Sequence, residues 1–533
     1  MAEVDTKILE EGPRMITLNN NKETIHSISG NRITPVLVLC VIATTIGSSA
    51  QFGFNTGVIN NIQEPIRTAL NGSMNNTMDK SHGFTNLEWA ATVSIFAIGG
   101  MFGALPAGAM ADCIGRKWSM MANNVVAIAG VLLQSLAVSP YMLIAGRFVI
   151  GINAGINTVI GPLYVSEISP IKYRGAMGTF VQLSITSTIL LSQIFGINAI
   201  VGTGQYGWRI LLAVPLLFVI VQVLILPWCP ESPRFLYIRR RKCEAAEKAL
   251  KRLCGSGSVL REMREMEVEL EERNQNQRAN SLVITDFITN PVLRRALAIS
   301  IMLHLSQQIT GIGSLLYYSS QIFKDAGVSD GDVATSVMGV VLVLGTIATI
   351  ILIDRVGRRT LMLYGLGGMA IFFALVSTAF CFQFAFYSDD ETKATAPGVL
   401  LVVFAFGVTF SFALGPGAIP WLMVSELFKQ EARPFAVSIA TIVNWLSNFA
   451  ISFAFPFMLN HLKPYPFIIF MGISALIWLF MYCYLVETKG KSIEQIIASL
   501  KAATSGTSSH FIWFYLRKRD QQPRPTATPS HFT

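Results

Sequence analysis

Long apolar runs separated by short polar intervals dominate the chain, and counting runs of about 20 residues, the length that crosses a ~30 Å hydrocarbon core, gives twelve. They lie near residues 34–58, 89–111, 118–138, 141–165, 176–200, 207–228, 296–320, 333–353, 361–385, 397–425, 435–457 and 465–486. One long polar segment, 231–290, parts the first six from the last six. Within it Leu250, Leu253, Met263, Met266 and Leu270 recur among many charges, which predicts short amphipathic helices on a membrane face. The pattern divides the chain into a tail 1–33, a six-helix bundle 34–230, the linker 231–290, a second six-helix bundle 291–487 and a tail 488–533. The predicted class is an all-α membrane protein.

Composition agrees: 52% hydrophobic and 14% charged residues, with a mean hydropathy of +0.50, exclude a string of soluble domains. A net charge of +9 raises nucleic acid as a partner, but the basic residues sit in short loops between apolar runs. Arg116 and Lys117, Lys172 and Arg174, the 239–242 cluster, and Arg355, Arg358 and Arg359 all fall on one side, which the positive-inside rule makes cytoplasmic. Nucleic acid is therefore not a partner, and the lipid bilayer is. An even number of spans puts both termini on the cytoplasmic side of a multi-pass protein, expected in the plasma membrane. Loop 59–88 then faces outward with sequons at Asn71 and Asn75. The first thirty residues are polar, with no apolar signal region, so the first span is expected to direct insertion. Seven scattered cysteines form neither a disulfide frame nor a metal set. The absence of a nucleophile–base pair, phosphate loop or metal cluster argues against an enzyme and against a cofactor.

The two halves repeat. Asp112-Cys-Ile-Gly-Arg-Lys117 follows the second span and Asp354-Arg-Val-Gly-Arg-Arg359 follows the eighth. Glu167 precedes Arg174 by seven residues, as Glu426 precedes Arg433. Pro230-Glu231-Ser-Pro-Arg234 ends the sixth span, and Val486-Glu-Thr-Lys-Gly490 ends the twelfth. All are cytoplasmic helix ends. Glu167, Arg174, Arg116, Glu231, Arg234, Arg358, Arg359, Glu426 and Arg433 read either as helix-end anchors or as a charged lock holding the halves together when that side is shut; duplication favours the lock.

Adjacent amides at Gln307 and Gln308 are out of place in an apolar run. An unpartnered buried amide costs about 1–3 kcal/mol, so they bind either another helix or a polar ligand. Gly415, Pro416, Gly417 and Pro420 interrupt the tenth span, and a broken helix at membrane depth is tolerated only against protein or a cavity.

With those loops, Pro230-Glu-Ser-Pro-Arg234, Gln307-Gln308 and Tyr317-Tyr318, the chain resembles the sugar porters of the major facilitator superfamily over residues 34–490. Gln51-Phe-Gly-Phe-Asn-Thr-Gly-Val-Ile-Asn60, Gly415-Pro-Gly-Ala-Ile-Pro-Trp421 and Asn444-Trp445 look most like the animal facilitative glucose transporters. The resemblance implies two pseudo-symmetric six-helix bundles that rock around a central site, giving alternating access. It implies a hexose site built from Gln182, Gln307, Gln308, Trp421, Asn444 and Trp445, an outer gate at Tyr317 and Tyr318, and a flexible gate at Gly415, Pro416 and Pro420. Amides suit sugar hydroxyls as donors and acceptors, and a tryptophan ring suits an apolar sugar face. Gln182 alone reads equally as an interhelical hydrogen bond, and Tyr317 and Tyr318 read also as interfacial aromatics. Four or five net hydrogen bonds at about 1 kcal/mol each, less immobilisation, give roughly −4 kcal/mol, a millimolar affinity that suits rapid release.

The chain departs from that pattern at Gly313, Leu342 and Ala413, where polar residues are usual, and at His304, which replaces a glutamine typical of glucose-selective members. His304 and Gly313 are thus the expected selectivity positions. Cys113 replaces a basic residue, so the first-half lock is expected to be the weaker. Asn55 stands where proton-coupled relatives carry an aspartate, and asparagine cannot titrate. The expected activity is energy-independent hexose uniport, D-glucose first, with fructose and galactose as further candidates. The alternatives are a proton-coupled sugar or polyol symporter and a sugar sensor without flux.

Overall fold

The computed structural model describes residues 34–74, 84–170, 173–197, 206–255, 259–278, 285–328, 330–386, 396–429, 432–463 and 465–504. Asn75 and the side chains of Asn71 and Arg174 lie outside the described residues. Secondary structure among the described residues is helical throughout, and twelve helices correspond to the twelve apolar runs. Eleven are apolar enough to cross a membrane: Pro35–Gly57, Asn86–Ile114, Pro140–Ile168, Met177–Phe195, Gly207–Trp228, Pro291–Asp325, Gly331–Val356, Arg358–Phe386, Ala396–Leu427, Arg433–Leu462 and Pro466–Tyr484.

The twelfth helix, third in the chain, is Arg116–Ser135, and it is more polar because its buried face is. Asn123 Nδ2 donates to the Asn153 carbonyl at 3.1 Å and to Asn157 Oδ1 at 2.9 Å, and Gln134 Nε2 donates to the Leu212 carbonyl at 3.2 Å. Inside lipid, such amides bind helices together where hydrophobic attraction between them is weak.

The seventh span differs from the continuous 296–320 helix that its apolar run predicts. It breaks after Gln308 and resumes at Ile312, with Gly311 in the left-handed region at φ 89°. A Cβ at Gly311 would strike the Phe470 ring, so glycine is required there by both conformation and space. The tenth span breaks as expected, between Leu414 and Ile419.

The first six and last six spans meet where the second packs on the eleventh and the fifth on the eighth. Both contacts use glycine as a notch: Gly100 faces the Trp445 ring, and Gly339 faces Gln193. Linker helices Cys243–Cys254 and Val259–Arg278 share a small core of Leu250, Val259 and Met266.

Candidate functional site

The breaks in the seventh and tenth spans adjoin each other, and the amides close the gap between them. Gln307 Nε2 donates to the carbonyls of Pro416 and Gly417, at 3.0 and 2.7 Å, which the broken tenth span leaves without helical partners. Its Oε1 accepts from Asn444 Nδ2 at 2.6 Å. Gln307 therefore caps the helix break, and its amide is fully engaged. Gln308 is half-buried, donating to Asn444 Oδ1 at 3.3 Å and accepting from Asn448 Nδ2 at 3.0 Å. Of the pair, Gln308 is the less buried, and its amide keeps a spare lone pair and proton of the kind a ligand needs.

Asn448 is the member that sequence reasoning missed. One helical turn beyond Asn444, it joins Gln308 to the Tyr317 hydroxyl, 3.4 Å away. Its signal was present: asparagines four apart on an apolar helix present one polar face. Tyr317 and Tyr318 are buried rather than interfacial, and the Tyr318 hydroxyl donates to the Ser452 carbonyl at 2.9 Å. Both tyrosines thus tie the part of the seventh span beyond its break to the eleventh.

The two tryptophans separate. Trp421 stands one turn beyond the break, with the buried His304 ring edge-on against it at 4.6 Å between centroids. Trp445 leaves the polar cluster and enters the other half, packing edge-on to Phe52 and Phe96 at 6.1 and 6.2 Å, over Gly100. Gln182 is half-buried on the fifth span, and the hydrogen bonds of the Gln307–Gln308 cluster among the described residues do not include it. Leu342 and Ala413 pack with Ile189 in an apolar contact between halves, and a Cβ at Gly313 would rest 3.7 Å from the Tyr317 ring without clash.

Asn55 is buried in the first span and accepts from Gln134 Nε2 at 3.4 Å. Its carbonyl accepts from Arg147 Nη1 at 2.9 Å. Arg147 is 0% exposed, stacks on Phe96 at 4.7 Å and has no ion-pair partner among the described residues. Sequence reasoning passed over it, although a lone arginine inside an apolar run marks a functional position in a membrane protein.

The side opposite the basic loops is closed between halves by Asn60. Its Nδ2 donates to the Leu316 carbonyl at 3.0 Å and to Ser319 Oγ at 2.7 Å, while its Oδ1 accepts from the Ser320 N–H at 3.2 Å. Ser320 in turn donates to Asp332, which pairs with Lys324 at 3.3 Å. Asn60→Ala removes three hydrogen bonds at about 1 kcal/mol each, a shift of roughly 150-fold toward opening of that side. Spin labels at Glu64 and Gln321 are expected to read a longer distance in that variant; an unchanged distribution would remove Asn60 from the closure.

The paired loops carry two kinds of carboxylate. Glu231 accepts from the backbone N–H groups of Arg116 and Lys117 at 3.0 and 3.2 Å, and Glu487 does the same for Arg358 and Arg359 at 2.9 and 3.0 Å. Each caps a helix N-terminus, where the dipole favours an anion. The preceding glycines, Gly115 at φ 99° and Gly357 at φ 103°, leave room for the carboxylate that a Cβ would fill. Burial pushes the Glu231 carboxyl up, opposed by its N–H partners. The second kind binds arginine side chains: Arg116 grips Glu167 through two bonds of 2.8 and 2.9 Å, whereas Arg358 reaches Glu426 at 3.4 Å.

Each arginine–glutamate pair lies within its own half in this structure, whose closed side is the opposite one. One expectation is corrected here. The first-half cluster is the tighter despite Cys113, because Arg239 pairs with Asp112 and Arg240 donates to the Cys113 carbonyl, importing charge from the linker. Three other predicted members sit apart: Arg234 pairs with Glu269 of the linker at 2.9 Å, the Arg359 side chain donates to the Tyr482 carbonyl, and Arg433 donates to the Phe428 carbonyl.

A family model described as "Sugar (and other) transporter" matches residues 39–499. The chain is 40% identical over 473 residues to the solute carrier family 2, facilitated glucose transporter member 3 of Ovis aries, covering 87% of this chain and 92% of that protein. To its Homo sapiens counterpart it is 38% identical over 480 residues, covering 89% and 94%. Among solved structures, the partially occluded inward open conformation of the xylose transporter XylE from E. coli superposes with a TM-score of 0.70 at 24% identity, covering 86% of this chain and 99% of that one. The proton:xylose symporter XylE bound to 6-bromo-6-deoxy-D-glucose gives 0.70 at 25%, covering 87% and 98%.

Proposed function

This chain belongs to the sugar transporter family, and on that premise we propose a facilitative hexose uniporter of the plasma membrane with both termini in the cytoplasm. It is a multi-pass membrane protein of the major facilitator fold that transports hexose and is not an enzyme. The finer statements are proposals: D-glucose as first substrate, the division into bundles 34–230 and 291–487, and the site itself. The observation that carries the site is the cluster of Gln307, Gln308, Asn444 and Asn448 at the junction of two helix breaks, with Trp421 one turn away. Such a set offers hydroxyls several donors and acceptors beside an aromatic face, and no fixed charge. Trp445 supports a different role, as a wedge between halves. Gln182 enters the site when the halves rock.

Uniport rests on Asn55 and on where the carboxylates lie. Glu88, Asp112, Glu167, Asp325, Asp332, Asp354 and Glu426 all stand near span ends, and Asn55 carries no proton to exchange. Arg147 beside it holds a permanent charge. The purified carrier in proteoliposomes is expected to equilibrate labelled glucose and to leave it unconcentrated under an imposed pH gradient. Uphill accumulation would establish the symporter instead, and binding without flux would establish a sensor. Competition by fructose, galactose and inositol ranks the substrates.

A further inference from the structure

Arg147 of the fourth span is buried, and among the described residues its side chain makes one hydrogen bond, from Nη1 to the Asn55 carbonyl, while Nε and Nη2 have no partner. The position of that carbonyl explains how a lone charge is tolerated. The first span ends at Gly57, and the chain continues as a turn over 58–62. The Val58 N–H takes the Phe54 carbonyl at 2.9 Å, and the Asn60 N–H takes that of Gly57 at 3.3 Å. The Asn55 carbonyl lies in this last turn, where helical N–H partners run out and the dipole leaves about half a negative charge. The helix end is thus the counter-charge for Arg147, and the face of the Phe96 ring at 4.7 Å adds to it.

We propose that Arg147 is a positioning residue of the transport cycle, which caps the C-terminal end of the first span and so presents Asn60 to the second half. The turn that carries Asn60 is fixed on both flanks within the first half. Arg147 holds Asn55 on one flank, and on the other Asn61 Nδ2 donates to the Gln193 carbonyl of the fifth span at 3.0 Å. Gly57 lets the turn lie close to that span, since a Cβ there would meet Ser192 Oγ and the Ile189 carbonyl. Asn60, between the flanks, makes the three bonds to the seventh span that close the side opposite the basic loops. Those three bonds break each time this side opens, so they cannot themselves hold the amide in place for the next closure. The bonds to Asn55 and Gln193 stay within one half and persist as the halves rock. A guanidinium suits the task, because a charge-assisted bond is about twice as strong as a neutral one. The role rests on alternating access by rocking halves and is independent of which sugar is carried.

The test uses full-length carrier in proteoliposomes, spin-labelled at Glu64 and Gln321, without substrate, so that its outcome is separate from that of the hexose assignment. Arg147→Gln is expected to shift the population about 10-fold toward the longer distance, the effect of losing one charge-assisted bond. Because the effect passes through Asn60, Arg147→Gln combined with Asn60→Ala opens no further than Asn60→Ala alone. Arg147→Lys keeps a charged donor and is expected to restore most of the short distance. Thermal unfolding of the same variants reads fold stability separately from closure. A lower melting temperature with the short distance unchanged would leave Arg147 a structural role only and overturn the proposal. Additive opening in the double variant, or Arg147→Lys no better than Arg147→Gln, would overturn it too.

Discussion

Gln308→Ala is expected to reduce glucose uptake 5- to 150-fold in kcat/KM, from the roughly 1–3 kcal/mol lost when a polar partner is removed from a buried network. The loss falls on transport rather than on folding, because Gln308 makes side-chain bonds only to Asn444 and Asn448, which can rebond to each other's surroundings or to water. Gln307→Ala differs in kind. It leaves the Pro416 and Gly417 carbonyls unpartnered at a helix break, so surface expression and thermal stability fall along with uptake. Labelled-glucose uptake into transporter-null cells, normalised to surface protein, separates the two variants. Unchanged normalised flux in Gln308→Ala would end the claim that this amide meets the sugar.

The contrast between these neighbours bears on how much of the site was legible beforehand. Span number and the repeated loops follow from apolar periodicity and spacing, which need no tertiary information. The amide pair was visible because it offends that periodicity. Its two different jobs were not, since they depend on which glutamine faces the break in the tenth span. The seventh-span break was missed for a related reason: Thr310-Gly-Ile-Gly313 contains no proline, and Gly311 is compelled by the Phe470 ring from the twelfth span. In sequence an aromatic beside an asparagine reads the same whether it faces a ligand or a glycine notch on another helix, and in the fold Trp445 faces Gly100. Leu342 and Ala413 read as missing polar partners, whereas in the fold they complete an apolar contact with Ile189. Arg147 was overlooked inside an apolar run, and Glu487 was seen as a motif member without its role as a helix cap.

Arg116→Leu is expected to destabilise the protein by about 3 kcal/mol, the lower part of the range for breaking a buried pair, while Arg358→Leu costs about 1 kcal/mol, nearer the range for exposed pairs. The repeats look equivalent in sequence, but their surroundings differ. The Arg116 side chain is 8% exposed and Glu167 11%, against 14% for Arg358 and 26% for Glu426. Arg116 also bonds the Ala111 carbonyl at 3.1 Å and lies over the Phe235 ring at 5.1 Å, so its removal strands Glu167 beside Ser232 in a dry site. Arg358 keeps a second partner, Asp354, at 3.0 Å, but that carboxylate is 81% exposed and loses little when freed. Thermal unfolding of the two purified variants, each combined with Glu167→Gln or Glu426→Gln in a double-mutant cycle, measures both couplings. Because both pairs lie within a half, they stiffen each bundle as a rigid body, and uptake per folded molecule is expected to fall less than stability does. Equal destabilisation by the two arginine variants would refute the asymmetry, and a collapse of flux at unchanged melting temperature would move the pairs from bundle rigidity to the gating step itself.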